Sequence, residues 1–504
     1  MVTGMDVESL LGEAYGMPYG EARTVVTERA LRAAQAARDP GLVVLTRFEL
    51  TAAYQLGGEP AKSFAVFSRN LADYDRDPSL FGERRLWRLL WQYKWIVGSL
   101  RRFPEIPLRR ALDGLDDMER RYREAGEGLQ AVYARRCHVA QHLGDRAAAE
   151  EWFHRWRTAP RDELSDCAAC DVRGVIAYLS WTGRDEEAIV AAAPVLSGAM
   201  TCSSQPQGIL EALLLPYVRT GRLEEAASAH RRAYRIVQGR LSDLDDMGTH
   251  LRFLALTGNE SRGLEILQRE LHLLERPPSP SAARAFMTGA AVLLRRLEEL
   301  GHGGTPVRRG GADVPVAGLR AEMEAGARGV AAAFDARNGT GEHMRDLEEV
   351  LAAAPYLTRL VLAPAAGESD PARLLARAGR LRGDGEDAEA AALFERAASL
   401  YRRAGDRAGE ARAMLAYAKS VYYAADEEEE IRAAYARARP VVEAAQEESP
   451  QDLAELAYDE AVALDWLELH EDALRACREA VARYTALGIT HDGAISLLEV
   501  LEHD

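Results

Sequence analysis

Cys167 and Cys170 bracket two alanines in a Cys-x-x-Cys, and Cys202 follows further along the chain. Thiolate sulfur is a preferred ligand of zinc, which in structural sites takes four ligands in a tetrahedron. The surrounding pattern predicts one helix over residues 171–181 and a second over 186–196. The Cys-x-x-Cys then lies just before the first helix and Cys202 just after the second. In an antiparallel helical hairpin, the start of the first helix and the end of the second share an edge. All three thiols are therefore expected to converge as a structural zinc site requires. The local pattern lacks a fourth ligand; Asp166, His154 on the preceding helix, and water are the candidates. The plainer alternative is three small side chains at helix ends with no ligand, since a Cys-x-x-Cys alone is a weak signal. Cys137 and Cys477 fall inside predicted helices and read as core residues.

Other reactive constellations are missing. No Lys follows a Gly, so there is no Walker phosphate loop, and neither His-Glu-x-x-His nor Gly-x-Ser-x-Gly occurs. The eleven histidines are scattered. Trp87, Trp91 and Trp95 stand four apart on one helix face, which suits a core stripe better than a binding ledge. The chain is expected not to be an enzyme.

The elements that position the cysteines come from a repeat. Gly144, Gly183, Gly221 and Gly258 recur about every 38 residues, each followed by acids or Ala. Gly suits the left-handed residue that closes a helix, and acids suit the positive end of the next. A small residue follows each turn: Ala148, Ala188, Ala226 and Gly263. The pattern extends back to Ser63 and Ala111 and forward to Ala390, Ile431 and Ala473. A bulky residue often stands four positions later, as in Phe67, Trp152, Phe394 and Tyr435. Residues four apart share a helix face, so the small one makes the helix contact and the large one fills the core.

The order of aromatic, Gly, Ala, aromatic and Pro in Tyr54…Phe67, in Gly144-Ala148-Trp152…Pro160 and in Tyr217-Gly221-Ala226…Ala233 resembles the tetratricopeptide repeat family. The resemblance covers most of residues 20–275 and 371–488, with a longer period than the family's 34 residues. It implies an all-α fold, an α-solenoid of antiparallel helix pairs winding into a right-handed superhelix. The chain is read as an N-terminal array over 1–276, an irregular helical connector over 277–370, and a C-terminal array over 371–504 ending in a capping helix. In the connector, residues 283–300 and 316–336 read as helices and the Gly-, Arg- and Pro-rich stretch 301–315 as a loop. A second breaker spans 364–371.

Such stacks bind peptides or helices on a concave face lined by first helices. Counting back from each small residue points Tyr133, Gln141, Arg173, Trp181, Arg219 and Arg252 towards that groove. Consecutive arginines there suit carboxylates, so the expected partner is a protein or an acidic or C-terminal peptide. The expected function is a protein–protein interaction scaffold. The alternatives are a ligand- or peptide-sensing regulator acting through a partner, and a metal-dependent enzyme using the cysteines. The net charge of −16 argues against nucleic acid, which needs a basic stripe. Only Lys62, Lys94 and Lys419 are lysines, a bias typical of a GC-rich genome such as an actinobacterium's. Residues 1–11 carry acids and no signal-peptide pattern, and no apolar run is long enough to span a membrane. A cytoplasmic protein is expected, its five cysteines reduced.

Overall fold

The computed structural model describes residues 4–196, 200, 202, 204–362, 370–425 and 427–502. The described residues are almost entirely helical, with one two-stranded hairpin as the only sheet. No helix among them is long and apolar enough to cross a membrane. The chain divides into two compact units, one built from residues 1–195 and 200–362, the other from 196–199 and 363–504. Residues 277–362 thus lie in the first unit, and residues 364–369 of the second expected breaker lie outside the described residues.

Local chemistry accounts for the helix boundaries. The repeat glycines close their helices in the left-handed region, Gly144 at φ +72° and Gly183 at +78°. The next helix is then capped: the Asp145 carboxylate accepts from the Ala148 amide at 3.0 Å. Gly258 has a second reason to be glycine. A Cβ there would lie 1.9 Å from the Thr358 carbonyl oxygen, where the 356–360 segment donates amides to Leu256 O and Thr257 O.

The small residues of the repeat are buried as expected at Ser63, Ala111, Ala188, Ala226, Gly263, Ala390 and Ala473. The expectation fails at Ala148, which is half-buried, while Ala149 is fully buried. Ala149 stands five positions after Gly144, so the first turn keeps the spacing of the others. Trp152 is correspondingly off the core; it stacks on Tyr133 at 5.8 Å, and Trp156 is the buried indole of that helix. Three consecutive alanines hid the phase, because any of them could carry it.

The connector's two expected helices are present, and one expectation there, the loop, is corrected. The helix Pro280–Glu299 packs along Leu244–Leu256 and against Val316–Asn338. Its crossing with the first is glycine on glycine: a Cβ on Gly289 would stand 2.0 Å from Gly248 O, and one on Gly248 2.4 Å from Ala285 O. The stretch read as a loop holds an antiparallel hairpin, Pro306–Arg309 with Ala312–Pro315, pairing Val307 with Val314 and Arg308 with Asp313. Gly310 and Gly311 both take positive φ, +53° and +85°, as a two-residue hairpin turn matching the strand twist demands. Val307 is fully buried beneath it.

In the second unit the helices from Pro371–Gly383 to Asp492–Leu501 pack each on its sequence neighbour. Phe394, Ile431 and Tyr435 lie in its core, where the small-then-large spacing predicted them.

Candidate functional site

The cysteines meet. Cys167 caps the helix Ala168–Trp181, its sulfur accepting from the Cys170 amide at 3.4 Å. Cys202 follows the helix Asp185–Leu196. Cys170 Sγ and Cys202 Sγ are 3.5 Å apart, and all three sulfurs lie within 4.8 Å of one another. These are free thiols, well beyond the S–S bond length of about 2.05 Å. A tetrahedral zinc with bonds of about 2.3 Å separates its sulfurs by about 3.8 Å, so the cluster matches a metal's requirement with little movement. The three could bind a metal ion, and all are half-buried.

Burial, followed by the neighbouring sulfurs, pushes the Cys170 thiol well up; burial also raises Cys167. At neutral pH these two are therefore thiols until a cation displaces their protons, so metal uptake would release acid. Among the described residues no histidine or carboxylate joins the sulfurs. His154 is exposed on the helix Arg146–Thr158, and Asp166 is engaged elsewhere. Neither expected protein ligand is in place, which leaves water or another exogenous group for a fourth position.

One of the three lysines holds the loop before Cys167. Lys94 is fully buried; its ammonium donates to Leu164 O at 2.9 Å and Ser165 O at 3.0 Å. It pairs with Asp166 at 3.2 Å and lies 3.2 Å over the Trp91 ring. Burial lowers its pKa to about 8, against the pull of Asp166. Arg135 takes the other Asp166 oxygen at 2.5 Å. Arg161 donates to Asp166 O and pairs with Asp171 at 2.7 Å. The Asp162 carboxylate accepts from the amides of Leu164, Ser165 and Gly128. So many charge-assisted bonds on a short loop fix where Cys167 starts its helix.

Cys170 also stands on the wall of a cavity of about 1830 Å³ within the first unit. Of the residues expected in a groove, Gln141, Arg173 and Trp181 line it, whereas Tyr133, Arg219 and Arg252 do not. Arg173 donates to Gly208 O at 3.2 Å and faces Asp246 at 3.2 Å and Glu211 at 3.6 Å. Arg219 is bound to Asp185 at 2.6 Å and 2.7 Å. Arg252 is half-buried, and burial lowers its pKa. The wall also carries Trp95, Arg101, Arg135, His138 and His142, none of which the repeat arithmetic selected. Trp87 and Trp91 do pack against the core, so the tryptophan stripe is divided between core and cavity. The imidazoles are held neutral: burial and the nearby Arg101 charge lower His142 to about 2, and burial with Arg135 pushes His138 well down. Searched against protein-family models and against curated proteins, the chain matches none.

Proposed function

We propose that the first unit binds a protein or peptide partner in this cavity, and that the chain is an interaction scaffold rather than an enzyme. The observation that carries the reading is the cavity itself. At about 1830 Å³ it exceeds the roughly 300–1,000 Å³ of small-molecule pockets, and suits an extended peptide. Its wall mixes the indoles of Trp95 and Trp181 with guanidinium groups, the side chains that anchor peptide interfaces. His138 packs edge-on against Trp156 and His142 against Phe334, a packing role rather than a proton-transfer one. The sequential packing of helices and the glycine turns support a tetratricopeptide-like stack of antiparallel pairs. An acidic or C-terminal peptide segment is the preferred partner, in a cytoplasmic setting suited to free thiols.

The test is retention of a partner on the immobilised full chain, compared with a Trp181→Ala variant. Loss of an indole from such a contact costs about 2 kcal/mol or more, roughly thirtyfold in Kd. Trp181 is half-buried and packs against Tyr178 and Arg146, so binding is compared at a temperature well below both proteins' melts. A partner bound equally by both proteins would refute the groove reading.

We further infer that Cys167, Cys170 and Cys202 hold a structural zinc that pins the end of one helix to the start of its neighbour. Purified protein is expected to carry close to one zinc per chain and to lose it on Cys170→Ser substitution. Chelation should then lower the melting temperature, since structural zinc sites contribute directly to folding. Zinc absent from protein purified with and without added metal would remove this reading and leave the groove intact.

A further inference from the structure

Among the arginines that the cavity wall shields from solvent, one has no acid paired with it; Arg240 and Arg276, also on the wall, are exposed. Arg102 pairs with Asp245 at 2.9 Å, Arg135 with Asp166 at 2.5 Å, and Arg284 with Asp346 at 3.3 Å. Arg173 has both Asp246 and Glu211. Arg101 lies on the same wall, its Nε sealed from solvent without a hydrogen-bond partner, and no acid among the described residues pairs with its guanidinium. The charges that bear on it are chiefly of its own sign: Arg102, Arg135 and Arg173, against Asp245, which Arg102 already holds. Burial and these like charges bring its pKa down to about 10. An uncompensated shielded charge is costly, and a fold keeps one most readily where something else completes it.

The backbone around Arg101 is rigid. It follows directly on the helix Gly82–Leu100 as its C-terminal cap. Arg337 donates to Arg101 O at 3.3 Å and Phe103 O at 3.0 Å, and the Ser281 amide to Arg102 O at 3.2 Å. A guanidinium so placed loses little freedom on meeting a ligand. Immediately around Arg101 the unmatched charge is a single positive one, because Arg102, Arg135, Arg173 and Arg284 each have an acid. A dianion would bring its second charge among Asp166 and Asp245, which line the same cavity. A carboxylate matches both the charge and the two-pronged geometry of the fork.

We infer that Arg101 is the anchor for a single carboxylate group, carried by a guest in this cavity. The inference rests on the cavity being a binding surface, and a carboxylate could come from a free small acid or from a peptide. The probes are acetate, acetyl-trialanine with a free C-terminus, the same peptide as its amide, and inorganic phosphate. All are titrated at constant ionic strength into the full chain and into Arg101→Met, following the tryptophan fluorescence, to which Trp95, Trp156 and Trp181 on the wall contribute. The free-acid peptide is expected to bind at least about tenfold more tightly than the amide, and Arg101→Met should abolish that difference. Without ligand, Arg101→Met should melt at the parent's temperature or above it, because it removes a repelled charge and keeps the side-chain volume. Acetate as effective as the peptide identifies a small acid as the source; a tighter peptide identifies a chain terminus. Equal binding of acid and amide overturns the anchor and spares the groove, whereas no binding of either peptide or of acetate overturns both. Phosphate binding more tightly than the carboxylates, or a lower melting temperature for unliganded Arg101→Met, overturns the assignment.

Discussion

Lowering the pH from about 7.5 to about 5.5 is expected to remove several kcal/mol from the stability of the first unit. Five of its histidines are shielded and held neutral. Burial is the largest cause in each case, lowering His142 to about 2, His250 to about 3 and His343 to about 4, and pushing His138 and His230 well down. Two of them, His230 and His250, face each other through Nδ1 atoms 3.0 Å apart, a contact that needs one nitrogen with its proton and one without. The unfolded chain binds protons at these imidazoles below about pH 6.5, whereas the folded chain does not. Stability is therefore complete above that value and falls as pH drops towards the folded pKa values. The loss is about 1 kcal/mol for each histidine by pH 5.5. Glu127, Glu211, Asp243 and Asp246 oppose this, since burial raises all four and they take up protons in the folded state. With fewer groups on that side the net sign stays destabilising. Urea unfolding at the two pH values measures it, and a midpoint that does not fall with acidification would contradict the neutral assignment.

Replacing Gly289 by Ala should cost about 3 kcal/mol or more, the upper end of what overpacking does in a core. The added methyl meets backbone, Gly248 O at 2.0 Å and Gly248 C at 2.7 Å, and backbone cannot rotate aside as a side chain can. The helices Leu244–Leu256 and Pro280–Glu299 must separate, and fully buried side chains on them, Phe253 on the first and Phe286 on the second, are set to lose packing. The same substitution at Gly329 supplies the control. That residue is exposed within Val316–Asn338, and an added Cβ meets nothing within 4 Å. There Ala should stabilise by up to about 1 kcal/mol through helix propensity. Thermal melts of the two variants should move in opposite directions; a Gly289→Ala protein as stable as the parent would refute the close crossing.

The cysteine cluster was legible because it depends on local rules alone. Helix ends can be read from glycines, acids and periodicity, and two adjoining helices joined by a short turn bring their outer ends together. What the rules missed is instructive. Asp166 stands next to Cys167 in the chain yet turns to Lys94 and Arg135, which arrive from residues far away in sequence. Ala148 and Ala149 are the same residue type, so only the packed face distinguishes them. The 301–315 stretch looked like a loop because its strands are four residues long and charged; its pairing rests on Gly310 and Gly311.

Sequence by itself determined the all-helical character of the chain, the places where its helices stop, and the meeting of Cys167, Cys170 and Cys202. Each follows from backbone preferences and spacings that act within a few residues or between adjoining helices. Tertiary structure alone decided that Gly248 meets Gly289, that Lys94 holds the cysteine loop, and that Arg101 stands in the cavity without an acid. Those outcomes depend on which surfaces of distant helices approach within bonding distance. Charge and volume are balanced there between residues that no local pattern connects.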